Sequence, residues 1–264
     1  MDRFRYFIGI FVFHMKLILA IIRPIWKLWF ALWFAIPFLI MFPIFYIALV
    51  RGNFDFVFRL KRFWARIISI GSFVFPIIRY QSKKYSLPKP CIIASNHTSY
   101  LDIIFSPFYI DHTAVFMGKY ELLKAPLFKY FFVYLDIPVN RKKITDAHKA
   151  FSEAGKKLDL GMSQVIYPEG TISSEGQLRS FKNGAFKLAI EKQVPIVPVA
   201  NLNNWWFLQN GGFFKSNGRP GIARIVVGDP IPTKGLTEKD LEELKQKVHT
   251  FIGSELDKFY GKQH

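Results

Sequence analysis

Ala94-Ser95-Asn96-His97-Thr98-Ser99-Tyr100-Leu101-Asp102 follows directly on the apolar run Cys91-Ile92-Ile93, and Tyr167-Pro168-Glu169-Gly170-Thr171 follows on Val165-Ile166. Each reads as a strand running out into a polar loop, and the first loop opens a helix. Ligand sites of α/β proteins collect at the carboxyl ends of strands. From Cys91 onward, candidate strands (Cys91–Ser95, Ala114–Met117, Leu135–Val139, Gln164–Tyr167, Pro195–Ala200, Ile222–Val227) alternate with candidate helices (Tyr100–Tyr109, Glu121–Tyr130, Asp146–Leu160, Asn183–Glu191). This alternation predicts an α/β fold: a three-layer domain with a largely parallel or mixed sheet. Thr237 and Asp240 form a candidate capping box, and Leu241, Leu244, Val248, Ile252, Leu256 and Phe259 follow at helical spacing, as in a helix packed on that sheet.

The chain before this domain has a different composition. Up to residue 90 the only acids are Asp2 and Asp55, set among many Arg and Lys and long apolar runs. Trp29 to Val50 is uncharged over 22 residues, about 33 Å as a helix, enough to cross a hydrocarbon core of about 30 Å. Pro37 and Pro43 leave a kinked span and a re-entrant hairpin both open. Tyr6 to Phe13 is too short to span and reads as interfacial; Ile67 to Ile78 is a further apolar run. Residues 1–88 are accordingly expected to be a helical membrane-associating segment and 89–264 the α/β domain, with Pro88 and Pro90 at the boundary.

Composition agrees with a chain that meets a membrane. Hydrophobic residues make up 51% and aromatics 17% of the 264 residues, and the net charge is +17. A basic chain suits nucleic acid, an anionic membrane surface or an acidic substrate. The interleaving of bases with apolar runs favours the membrane, and no nucleic-acid-binding motif is present. The single cysteine, Cys91, lies in a core strand and excludes a disulfide framework. The histidines lack metal-ligand spacing, so no metal is expected. No Gly-x-Ser-x-Gly elbow is present, against a serine lipase.

The chemistry sits in the first loop. With Thr98 or Ser99 as N-cap, Asp102 lies one turn into the helix and can fold back on the His97 imidazole, fixing its tautomer and stabilising the imidazolium. This is a base and its orienter without a nucleophile, so the nucleophile is a substrate hydroxyl or water. A helix start that happens to carry His and Asp has the same spacing.

Asn-His-x-Ser-x-x-Asp followed by Tyr-Pro-Glu-Gly-Thr resembles the glycerolipid acyltransferases, in particular the bacterial 1-acyl-glycerol-3-phosphate (lysophosphatidic acid) acyltransferases. The family's four blocks occur in order: Asn96 to Asp102, Pro138-Val139-Asn140-Arg141, Tyr167 to Thr171, and Val194 to Val199. The resemblance implies direct acyl transfer from a thioester, acyl-CoA or acyl carrier protein, to a lysolipid hydroxyl deprotonated by His97. It implies no cofactor beyond the thioester substrate, and a site on the cytoplasmic face of the inner membrane. It makes Ser99, Lys119, Arg141, Glu169, Gly170, Thr171 and Lys182 candidates for substrate binding, with backbone N–H groups near Gly170 as oxyanion donors. One departure stands out: the family's third block commonly ends in Arg, and here that position is Ile172. This leaves open an acceptor other than a phosphate monoester, such as another lysolipid or an amino-acid lipid. A non-catalytic membrane-binding protein of the same fold is the alternative from a different class.

Overall fold

The structure, a computed structural model, describes residues 2–140, 144–173 and 175–261. It is built from α1 (Asp2–Val50), α2 (Phe54–Ser72), β1 (Val74–Tyr80), β2 (Ile92–Ser95), α3 (Leu101–Phe105), β3 (Ala114–Lys119), α4 (Lys129–Tyr134), β4 (Ile137–Val139), α5 (Ile144–Asp159), β5 (Ser163–Ile166), α6 (Gly184–Lys192), β6 (Ile196–Asn201), α7 (Asn204–Phe207), β7 (Gly221–Val227) and α8 (Leu241–Tyr260). The strands form one sheet in the order β1-β7-β6-β2-β5-β3-β4. All neighbours run parallel except β6 and β7. The central strands β2 and β6 are buried along their whole length, as expected of a sheet covered on both faces. Because β2, β3, β5 and β6 are parallel, residues 96, 120, 167 and 202 all leave the sheet at one edge. β7 and β1 begin at that same edge.

The mixed α/β fold follows the alternation in the sequence, with local differences. The helix expected over Glu121–Tyr130 is a 3₁₀ turn at Tyr120–Lys124 followed by α4. Pro126 forces Ala125 into the extended region, at ψ 122, and so breaks the run. The apolar run Ile67 to Ile78 is not one element. α2 ends in it with Phe73 in the left-handed region (φ 56), and β1 then pairs with β7 at the sheet edge. The sheet therefore takes in Val74–Tyr80, N-terminal to the boundary expected at residue 88. A strand exposed on alternate residues at an edge does not stand out within a continuous apolar stretch. The expected capping box forms at Thr237 and Asp240, and α8 packs on the sheet.

α1 is one continuous helix with Pro24, Pro37 and Pro43 inside it, so the hairpin alternative does not occur and Tyr6–Phe13 is part of the same helix. Ala20–Val50 is long and apolar enough to cross a membrane by length and composition. The helix is nevertheless laid along the domain. It runs antiparallel to α2: the Trp26 and Trp29 indoles donate to the carbonyls of Ser72 and Gly71 (3.3 and 2.7 Å), and the Trp64 indole donates to the Phe34 carbonyl (3.0 Å). The Phe38 ring packs on Phe128 and Trp64 at centroid distances of 4.6 and 5.0 Å, and Phe45 on Phe131 at 5.3 Å. The opposite face, Ile25, Leu28, Leu32, Ile36, Leu39, Ile40 and Ile47, is apolar and exposed. The two faces follow the helical period.

This packing separates two substitutions of similar chemistry. Phe38→Ala removes a ring 4% exposed and is expected to cost about 3–5 kcal/mol. Ile40→Ala, at a residue 73% exposed, is expected to change stability by less than about 0.5 kcal/mol. Urea unfolding in detergent micelles measures both; equal losses would contradict the assignment of the inner face.

Candidate active site

The β2–α3 loop folds around the Asp102 carboxylate. α3 begins at Leu101 after Tyr100, without a side-chain cap, so Asp102 lies in the first turn rather than a turn inside. Asp102 Oδ2 accepts hydrogen bonds from the backbone N–H groups of Thr98 (2.6 Å) and Ser99 (2.9 Å) and from His97 Nδ1 (3.0 Å). Its Oδ1 accepts from Asn204 Nδ2 (2.7 Å). Asp102 is fully buried and the His97 side chain is 10% exposed. With Nδ1 holding its proton toward the carboxylate, the lone pair of the neutral ring sits on Nε2. The Tyr167 ring stacks on the imidazole, centroids 4.0 Å apart and planes 18° apart.

The third block docks on this loop through the backbone. Glu169 Oε1 accepts the His97 N–H (2.9 Å), and the Ser173 N–H donates to the His97 carbonyl (2.8 Å). Glu169 Oε2 is buried and has no partner among the described residues. Burial, reinforced by the charge of Asp102, pushes the Glu169 carboxyl up to about 7, against the opposing pull of the His97 and Arg179 N–H groups and the Arg179 charge. The Gly170 N–H closes a turn on the Tyr167 carbonyl (2.9 Å) and so is not free to serve as an oxyanion donor. Gly170 adopts φ +75, and the Lys182 chain lies where its Cβ would be, with Nζ 2.9 Å from that point. The positive φ favours glycine, while the flexible Lys182 chain could shift aside.

The candidates drawn from the sequence fall into four groups. His97, Asp102, Glu169, Gly170 and Lys182 are brought together, with Thr171 exposed beside them. Ser99 is buried and its hydroxyl is engaged, donating to the Leu208 carbonyl (2.6 Å) and accepting from the Leu101 N–H (3.1 Å); it braces the loop and is not open to substrate. Lys119 ends β3 at the same edge, exposed. Arg141 lies outside the described residues.

Two residues of the site were not singled out by sequence reasoning. Asn204 is fully buried and also donates to Asn201 Oδ1 (3.2 Å). Asn201 in turn exchanges bonds with Asn96, accepting from its Nδ2 (2.9 Å) and donating its own N–H to its Oδ1 (2.7 Å). The run Asn201-Leu202-Asn203-Asn204 after a core strand was the available signal. In the sequence Tyr167 stands as the end of a candidate strand and the first residue of the third block, with no role of its own. A second His–Asp pair, His112 with Asp111, reaches Ser163 Oγ (2.6 Å), but Ser163 is buried and already accepts the Cys91 N–H, so this arrangement is structural. Burial pushes the Cys91 thiol up to about 12, an inert group.

Because the folded state holds the Glu169 proton more tightly than the unfolded chain, this group's contribution to stability falls as pH rises from about 4.5 to about 7 and is flat above. The loss is about 3 kcal/mol. Glu169→Gln keeps an oxygen for the His97 N–H and lacks the titration. Its urea midpoint relative to wild type is expected to rise between pH 5 and pH 7.5; parallel curves would contradict the buried, raised carboxyl.

Residues 77–201 match the family model described as Acyltransferase. A human protein named 1-acyl-sn-glycerol-3-phosphate acyltransferase beta is 34% identical over 164 residues, which cover 61% of this chain and 58% of that relative. The chain thus spans under two thirds of the human relative's length. A Pseudomonas aeruginosa protein named 1-acyl-sn-glycerol-3-phosphate acyltransferase is 28% identical over 194 residues, 72% of this chain and 73% of the relative. The crystal structure of the 1-acyl-sn-glycerophosphate (LPA) acyltransferase PlsC from Thermotoga maritima superposes with a TM-score of 0.73 over 90% of this chain and 97% of that chain, at 21% identity. That likeness carries the fold.

Proposed function

We propose, for a chain whose residues 77–201 match the Acyltransferase family model, that it transfers an acyl group from a thioester to the free hydroxyl of 1-acyl-glycerol-3-phosphate, giving phosphatidic acid. The observation that carries this reading is the His97 Nδ1–Asp102 Oδ2 bond of 3.0 Å, which leaves Nε2 of the same ring for the acceptor hydroxyl. Nε2 of His97 takes the proton of the acceptor hydroxyl as its oxygen attacks the thioester carbonyl. The tetrahedral intermediate collapses with cleavage of the C–S bond, and the departing thiolate takes the proton back from the imidazolium. Asp102 stabilises the ring's positive charge, and Tyr167 limits its rotation. Oriented proton transfer of this kind contributes about 10²–10⁴-fold.

Lys182, Lys119 and Arg141 are the cations we assign to the acceptor phosphate. Thioester and lysolipid are substrates; no further cofactor enters the scheme, and acyl-CoA and acyl carrier protein are both compatible donors. The names of the human and Pseudomonas relatives support the phosphate acceptor. Ile172 favours the second reading, a lysolipid without that phosphate, because an apolar side chain cannot donate to it. We also infer that the exposed face of α1 seats the protein in a membrane surface rather than carrying it straight across. A helix whose inner face is packed on the domain from Trp26 to Leu49 cannot leave that domain to cross alone. The cytoplasmic face suits thioester donors made in the cytoplasm.

Thioester consumption across a panel of lysolipids tests the assignment. Wild-type protein is expected to consume the thioester with lysophosphatidic acid, and His97→Ala, equally folded and membrane-bound, to lose about 10²–10⁴-fold. Near-normal turnover in His97→Ala would refute the mechanism, and faster turnover with a phosphate-free lysolipid would move the acceptor to the second reading. Asn204→Ala is expected to lower kcat about tenfold at unchanged KM, since one charge-assisted bond of about 1.5–3 kcal/mol holds the orienting carboxylate. A change confined to thermal stability would mean that Asn204 only packs.

A further inference from the structure

Between Glu191 and Asp229 the sequence contains Lys192, Lys215, Arg219 and Arg224 and no acid. Within it, Leu208 to Gly218 forms a closed loop at the carboxyl edge of the sheet. Its base is fixed by a Leu208–Gly218 bridge, by the Gln209 N–H on the Asn217 carbonyl and by the Asn217 N–H on Gln209 Oε1. At the tip the N–H groups of Lys215 and Ser216 close one turn on the Gly212 carbonyl (3.1 and 3.0 Å). This ordered turn presents two aromatic side chains to solvent, Phe213 at 48% and Phe214 at 73% exposure, rings edge to face at 5.2 Å.

Two attachments fix where this tip sits. The first is to α1. Lys27, 6% exposed, places its ammonium under the loop and donates to the Phe213 carbonyl (2.7 Å), the Ser216 carbonyl (2.5 Å) and Ser216 Oγ (2.7 Å). Gly218 makes room for the Lys27 stem and the Trp26 ring, which lie 2.8 and 3.0 Å from the position of a Cβ there. A lysine buried in a strongly apolar helix is costly unless all its donors are met; here its bonds tie the loop to the helix. The second attachment is to the catalytic loop, through the Ser99 hydroxyl on the Leu208 carbonyl and a Ser99–Gln209 bridge, two residues from His97.

We propose that the Phe213–Phe214 tip is a second bilayer-inserting element, which seats the mouth of the active site on an anionic lipid surface. The inference rests on the membrane-bound reading of α1 and adds to it a point of insertion beside the catalytic groups. Adjacent exposed aromatics flanked by Lys215 and Arg219, in a segment free of acids, match the chemistry of a bilayer interface, where aromatic rings sit at headgroup level and basic residues meet anionic lipid. The loop rests on the packed side of α1 through Lys27, within two residues in sequence of Ile25 and Leu28 on the exposed apolar face. Each basic residue near an anionic leaflet strengthens association by about fivefold, so Lys215 and Arg219 orient the tip before the rings enter. With the tip inserted, the Ser99 tether holds His97 at the depth where a lysolipid hydroxyl emerges.

A depth probe tests this in the full chain. Phe214→Cys is labelled with an environment-sensitive fluorophore; the native Cys91 is buried and does not compete. Leu160→Cys, 71% exposed at the end of α5 and on the opposite edge of the sheet, is the reference. Both are bound to vesicles of phosphatidylcholine and phosphatidylglycerol with and without lipids carrying a quencher in the acyl chain. The Phe214→Cys probe is expected to shift to the blue and to lose intensity to the acyl-chain quencher, while the Leu160→Cys probe stays unchanged. Protein that binds the vesicles with the Phe214→Cys probe still in water would overturn the proposal and leave the α1 reading intact. Protein that fails to bind at all would overturn both. A blue shift that grows with protein concentration without vesicles would overturn it in favour of a contact between copies of the chain.

Discussion

Four donors converge on the Asp102 carboxylate: the Thr98 and Ser99 N–H groups, His97 Nδ1 and Asn204 Nδ2. Removing this group would undo more than an ion pair. The β2–α3 loop would lose the acceptor that folds it, the imidazole would lose its tautomer, and the segment after β6 would lose one of its links to the site. A buried carboxylate is tolerable only because each oxygen is met by a donor of fixed position. Those donors come from one tight turn and from α7, which the sheet order places beside it because β6 neighbours β2. Catalytic geometry is thus a consequence of the strand order, and the buried bonds of Asn96 and Asn201 join the two loops across that strand pair.

The same edge of the sheet meets the N-terminal helices. α2 ends there, Trp26 and Lys27 of α1 pack there, and β1 begins there. A membrane segment joined by a flexible linker would leave the catalytic edge free to face any direction. Here the inner aromatic face of α1 is built into the domain, so the orientation of the exposed apolar face and that of the catalytic edge are set together. The aromatic contacts of Phe38, Phe45 and Trp64 each add about 0.5–1.5 kcal/mol beyond burial, and their sum makes the two parts one body.

Much of this was legible in the sequence for physical reasons. β2 and β6 are buried on both faces, so they read as short apolar runs, and polar residues following them mark loops at one edge. His97 and Asp102 could be paired because a local turn brings residues five apart together. The bond from Asn204 spans 102 residues of sequence and leaves no periodic trace. The family resemblance made Ser99 a candidate for substrate binding; its engagement with Leu208 depends on a loop far along the chain. β1 was hidden in an apolar stretch whose composition suits a helix, a strand or a membrane segment equally. The position of Trp29–Val50 against the domain depends on which face carries the aromatic rings, and a hydropathy average over the segment discards that information.

The proposed acyl transfer requires one protonation state: a neutral His97 ring that keeps its proton on Nδ1, toward Asp102, and leaves Nε2 unprotonated. Nitrogen-15 NMR of histidine-labelled full-length protein in micelles, with the His97 signal identified by its loss in His97→Gln, reads that state directly. The Nδ1–H tautomer is the predicted form of the neutral ring, in wild-type protein and without substrate. A neutral ring protonated on Nε2, or one exchanging freely between the two forms, would contradict it.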